Sequence, residues 1–169
     1  KATSAISGPN DNIIKPRGSD KLDWEVELAI VIGKEASYIE EKDAHEYIAG
    51  YCVCNDISER SFQLEKGSQW DKGKGCDTFG PIGPWLVTSD EVKDVHNLTM
   101  WLEVNGKKMQ NGNTNTMIFK PAFIVSYLSQ FMSNSSKQQS KKFLGSLYDF
   151  PENAMAIGRL DEQSEGLLL

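Results

Sequence analysis

The chain is poor in the residues that build disulfide scaffolds and zinc sites. It has three cysteines (Cys52, Cys54, Cys76) and two histidines (His45, His96) in 169 residues. An odd cysteine count with a single C-x-C pair is a poor disulfide framework, and no second C-x-x-C or nearby histidine pair completes a zinc site. Reduced thiols are expected, with Cys52 and Cys54 on one face of a strand. No apolar run approaches the roughly 20 residues that span a bilayer, and no charged, apolar leader marks export. A cytoplasmic protein without a membrane partner is therefore expected. Basic residues are in deficit, with 18 Lys and Arg against 24 Asp and Glu, for a net charge of −6. That balance disfavours nucleic-acid binding by bulk charge. An initiating Met is also lacking. The chain opens on Lys1 and closes on an uncapped Leu167-Leu168-Leu169, so both ends read as cuts and a longer parent is expected.

What is present suits a folded core. Apolar residues make up 39% of the chain, enough for one domain of this length. Residues 1–21 are polar and punctuated by Pro and Gly, which predicts a short strand and turns. Residues 22–33 alternate, with Trp24, Val26, Leu28 and Ile30 on one face and Glu25, Glu27, Ala29 and Val31 on the other, which predicts a strand. A short amphipathic helix is predicted over 39–49, with Ala44, Tyr47 and Ile48 inward and Gly50 as its stop. A second strand follows over 50–57, then a helix capped by Ser58 and running to about Lys66. Residues 67–80 are glycine-rich and predict a loop. A strand is predicted over 81–88, and a hairpin over 98–110 turns at Asn105-Gly106. A helix from Pro121 to Met132 places Phe123, Tyr127, Leu128 and Phe131 on its apolar stripe. At 132/133 the texture changes to the polar run SNSSKQQSKK, then to a new apolar segment. The expected division is 1–132 and 133–169.

The sharpest chemical feature is Glu25 with Glu27. Two residues apart on a strand, their side chains leave one face about 7 Å apart at the backbone. Either they form a solvated outer face, or they hold a cation that offsets their repulsion. A hard divalent ion such as Mg²⁺ suits oxygen ligands, and Asp56, at the end of the next strand, could supply a third. Lys74 sits among glycines, where it could approach an oxyanion closely, or simply face solvent. Arg60 and Gln63, three apart on the short helix, share a face and could bind a carboxylate and a carbonyl. His45 and His96 lie in polar surroundings and read as surface residues.

Five stretches of residues 1–132 together resemble the fumarylacetoacetate hydrolase family: KATSAISGPND, DWEVELAIVIGK, AGYCVCNDISER, WDKGKGCDTFGPIGPW and VNGKKMQNGNTNTMIF. They look most like its branch acting on 2,4-dioxo sugar acids, the ureidoglycolate lyase-like group. The resemblance implies an α+β fold, mainly β, with the family's mixed β-roll in truncated form, usually as a homodimer. It implies that Glu25, Glu27 and Asp56 are Mg²⁺ or Mn²⁺ ligands and that Lys74 is the active-site lysine. It also implies that Thr78 supports the metal's outer shell and that Arg60 and Gln63 contact substrate. The implied reaction is metal-dependent hydrolysis of a C–C bond in a 2,4-dioxo acid, releasing pyruvate through a metal-stabilised enolate.

Two family features are missing from the stretch. The His–Glu pair on an N-terminal lid would precede Lys1, and the G-D-x-I-x-T-G-T-P segment is replaced by SNSSKQQ. Weak or no turnover is expected of the chain as it stands, which leaves a catalytically incomplete metal-binding remnant as an alternative. The tail FPENAMAIGRLDEQSEGLLL resembles the motif of small-subunit-type rRNA pseudouridine synthases, with Asp161 at the nucleophile position and Arg159 beside it. A fragment of such an enzyme is the second alternative.

Overall fold

The computed structural model describes residues 1–67 and 69–130. The 132/133 boundary, Phe131, Arg159 and Asp161 lie outside them. The strands are β1 (Ile6–Ser7), β2 (Leu22–Asp23), β3 (Val26–Ile32), β4 (Ile48–Asn55), β5 (Ser58–Glu59), β6 (Gly80–Pro81), β7 (Val87–Thr88), β8 (Thr99–Val104) and β9 (Lys107–Asn113). The α-helices are α1 (Arg60–Leu64), α2 (Asp71–Lys74) and α3 (Pro121–Ser129), and 3₁₀ turns cover Thr3–Ala5, Glu41–Tyr47 and Thr114–Thr116. No helix among the described residues is long and apolar enough to cross a membrane.

The centre is an antiparallel sheet in the order β3-β4-β7. β3 and β4 form as the alternation predicts, and Glu27 pairs with Cys54 across the ladder. The pairing continues past the end of β3, where Asp56 N–H donates to Glu25 O at 2.9 Å. β1 pairs with β6 in parallel and β2 with β5 antiparallel. The β8–β9 hairpin turns at Asn105 and Gly106, both with positive φ, as a type I′ turn requires.

Two apolar clusters flank the sheet. The first joins Ala36, Ile39, Ala44, Ile48, Tyr51 and Val125, with Leu28 and Ile30 packed against it. The second is small: Ala5, Ile57 and Phe79, with Trp24 and Cys76 against it. All three thiols are free, and Cys52 is buried.

Five predicted elements differ, the first being the loop over 67–80, which carries α2. The helix over 39–49 is a 3₁₀ turn from Glu41 to Tyr47, and Ile48 already belongs to β4. Ser58 does not cap α1. Pairing of Asp23 with Ser58 and Leu22 with Glu59 extends the strand by two residues, so the Glu59 side chain becomes the cap and accepts from Ser61 N–H. The strand over 81–88 is split into β6 and β7, with a single bridge from Ile82 to Cys54 between them, and Pro84 brings no N–H to continue the ladder.

The α3 stripe is also rotated. Pro121, Val125 and Ser129 are buried, whereas Phe123, Tyr127 and Leu128 are exposed. Polar contacts set this rotation. Ser129 Oγ accepts from Ile39 N–H at 3.1 Å, and Ser126 Oγ donates to Ile39 O at 2.9 Å. Phe119, Phe123 and Tyr127 stack on one another instead, with centroids 5.0 and 5.8 Å apart.

Candidate functional site

The second cluster forms a floor beside which the charged groups gather. Ile57 is anchored there, so Asp56, one residue earlier, stands at the end of β4. Glu25 and Glu27 flank Val26 at the start of β3. Their carboxylates and that of Asp56 bring ligand oxygens within 4.8 Å of one another.

Lys74 reaches this trio from α2 and not from an irregular loop. That turn can lie against α1 because residue 73 is glycine. A Cβ there would stand 2.5 Å from Glu59 O and 2.6 Å from Gln63 Cβ. Lys74 Nζ donates to Glu25 Oε2 at 2.7 Å, Asp56 Oδ2 at 2.5 Å and Ser58 Oγ at 2.9 Å. Arg60 pairs with Asp23 Oδ2 at 2.9 Å and with Glu25, and donates to Gln63 Oε1 at 2.8 Å.

Arg60 and Gln63 project from α1, whose first turn rests on Glu59. This carboxylate is completely buried. It accepts from the hydroxyls of Ser19 and Ser61 and from the N–H groups of Lys21 and Ser61. Burial alone would raise its pKa. The donors outweigh that and hold it at about 2.

The site's own acids divide. Burial, then the charges of Asp56 and Glu25, push the Glu27 carboxyl above its ordinary range. Burial also disfavours ionised Asp56, but the ammonium groups of Lys1 and Lys74 prevail and lower it. Lys74 is shifted up, because Asp56 and Glu25 outweigh its own desolvation.

A cavity of about 520 Å³ opens over these groups, lined by Glu25, Glu27, Asp56, Arg60, Gln63, Leu64, Trp70 and Lys74. Six of the seven residues singled out from the sequence therefore converge. Thr78 does not line the cavity. Its hydroxyl accepts from Ile14 N–H at 2.8 Å and donates to Asp77 O at 2.6 Å, which ties down the N-terminal segment. His45 and His96 are exposed.

The donor set fits a hard divalent ion. It is all oxygen, and Asp56 Oδ1 is buried with no contact of hydrogen-bond geometry, only the Lys1 ammonium 2.5 Å away. Glu27 is held among like charges that a cation would relieve. Lys1, Leu64 and Trp70 were missed by the sequence reading. For Lys1 the signal was its place at the head of the KATSAISGPND stretch.

The family model "Fumarylacetoacetate (FAA) hydrolase C-terminal" matches residues 1–136. A Burkholderia ambifaria protein, provisionally named a hydrolase, is 61% identical over 133 residues, which are 79% of this chain and 47% of that protein. The chain thus spans about half the length of the curated relatives it matches. Among solved structures, a 5-carboxymethyl-2-hydroxymuconate delta-isomerase from Mycobacterium smegmatis is 39% identical with a TM-score of 0.72. The match covers 76% of this chain and 50% of that one. A 2-hydroxyhepta-2,4-diene-1,7-dioate isomerase from Mycobacterium marinum is 40% identical with a TM-score of 0.72, over the same shares. The mixed α+β roll is therefore that of these proteins in part, and the chain belongs to the fumarylacetoacetate hydrolase family.

Proposed function

We propose that Glu25, Glu27 and Asp56 hold Mg²⁺ or Mn²⁺, and that the protein hydrolyses a C–C bond of a 2,4-dioxo acid to release pyruvate. The observation that carries this reading is the convergence of three carboxylates with the Lys74 ammonium beside two of them. The two isomerases matched in structure are named for unsaturated 2-hydroxy diacids. The 2-hydroxy-diene end of such a molecule is the enol of a 2-oxo acid, so the same end of a substrate would bind here.

A bound divalent ion supplies a Lewis acid for the 2-oxo oxygen. Arg60, held in orientation by Asp23 and Gln63, faces the substrate carboxylate. Lys74 keeps a proton at Nζ and donates a hydrogen bond to the oxygen that becomes negative at C4. Water adds its oxygen to C4 and gives up a proton, the C3–C4 bond breaks, and its electron pair stays on C3. A proton, the equivalent of the one water gave up, ends on C3, giving pyruvate and a second acid. Trp70 and Leu64 form the apolar lip against which the rest of the substrate lies. Free thiols suit a cytoplasmic setting, and we expect the family's homodimer.

The test is pyruvate release from 2,4-dioxopentanoate with Mn²⁺, followed by coupling to lactate dehydrogenase. It is run on these 169 residues and on the chain fused behind the N-terminal half of a Burkholderia relative. The fused form is expected to turn over only with metal, and Lys74→Met to lose about 10²–10³-fold in kcat. An equal rate in EDTA, or in Glu27→Gln, contradicts the proposal.

A further inference from the structure

One cation of the site has been given no role. Lys1 Nζ donates to three backbone carbonyls: Lys74 O at 2.7 Å, Phe79 O at 2.8 Å and Ile57 O at 3.0 Å. It also stands 2.5 Å from Asp56 Oδ1. An ammonium has three protons, and the three carbonyls meet it with hydrogen-bond geometry. Asp56 Oδ1 is its nearest neighbour and is held by the ion pair, outside that geometry. The side chain is only 18% exposed, so these contacts are little diluted by water.

The three carbonyls come from the residue before β5, the end of α2 and the residue before β6. One side chain thus joins the backbone beside Asp56 to the backbone of Lys74. We infer that Lys1 is a positioning residue for the metal site: it fixes the Asp56 carboxylate and the α2 turn that presents Lys74. This rests on the metal reading of Glu25, Glu27 and Asp56.

The direction of the effect separates positioning from charge. A cation beside a metal site repels the metal, so if Lys1 acted by charge alone its removal would tighten binding. If it acts by position, its removal loosens binding. Arg keeps the charge, but its planar fork does not match three convergent carbonyls.

Mn²⁺ affinity of the 169-residue chain is measured by the free-ion EPR signal, with melting temperature recorded alongside. Lys1→Met and Lys1→Arg are each expected to bind about tenfold more weakly or worse. Val125→Ala, which loosens the first apolar cluster, is expected to melt lower yet bind as wild type. Should Lys1→Met not fold, Lys1→Arg carries the test. Unchanged or tighter binding in the Lys1 variants overturns the inference, as does an equal loss in Val125→Ala. Full affinity in Glu27→Gln overturns the metal reading and the inference with it. Loss in Glu27→Gln beside wild-type affinity in Lys1→Arg overturns the inference alone.

Discussion

At one end of the β3–β4 ladder, Val31 faces Gly50 and Ile32 faces Ile48, and Leu28, Ile30 and Tyr51 pack with Ile39, Ala44 and Val125. At the other end, Val26 faces Asn55 and Glu27 faces Cys54, and beyond them four acids meet three cations. The same pair of strands carries both. The first end is held by contacts without direction, so any side chain of suitable volume serves. The second is held by hydrogen bonds and charges whose partners must come from particular atoms of distant segments. It also sets like charges against one another, since burial and the charges of Asp56 and Glu25 disfavour ionised Glu27.

Substitutions should separate the two ends. The largest effect is expected from Glu27→Gln: loss of more than about 100-fold in Mn²⁺ affinity by calorimetry. Its urea midpoint should stay level or rise, because a repelling charge has gone; a fall would mean the acid end is not under strain. Next, Ile48→Ala at the apolar end should cost about 2–4 kcal/mol in urea unfolding. Mn²⁺ affinity of the folded protein should be unchanged, and a matching loss of affinity would show that the ends are not independent.

Glu59→Gln should cost about 2–3 kcal/mol at neutral pH, since buried donors lose a charged acceptor. The sign with pH follows from its lowered folded-state pKa. Ionised Glu59 contributes in full above its ordinary value of 4.5, and the contribution disappears as pH falls toward about 2. The gap between wild type and Glu59→Gln should therefore close between those values in acid titrations of the urea midpoint, and a gap constant with pH would contradict the account. The smallest effect is expected at Thr78→Val, whose hydroxyl holds Ile14 and does not line the cavity. Its Mn²⁺ affinity should stay within about twofold, below the cost of losing a supporting group. A larger change would place Thr78 in the site after all.

The apolar end was legible because strand period places Leu28 and Ile30 on one face. Glu25, Glu27 and Asp56 were legible for the same reason, as a pair on one face plus a carboxylate at the next strand's end. Arg60 and Gln63 were legible from helix spacing, although the helix starts at a different cap. Lys1 was marked only by its place at the head of the KATSAISGPND stretch, because its carbonyl partners lie 56, 73 and 78 residues away and period or spacing does not encode such contacts. The rotation of α3 was hidden too. Aromatic periodicity favours Phe123 and Tyr127 inward, but two serine hydroxyls meeting Ile39 decide the face. The glycines at 67–80 suggested a loop, whereas Gly73 serves close packing of two helical turns.

The central claim is that the three carboxylates take a divalent ion and that Lys74 gives way to it. Crystals of the chain soaked in Mn²⁺ and measured at the manganese absorption edge test it most directly. The account predicts one anomalous peak within coordination distance of Glu25, Glu27 and Asp56, with Lys74 Nζ moved off at least one of its carboxylate partners. No peak among those oxygens, with Lys74 still bridging Glu25 and Asp56, would contradict it.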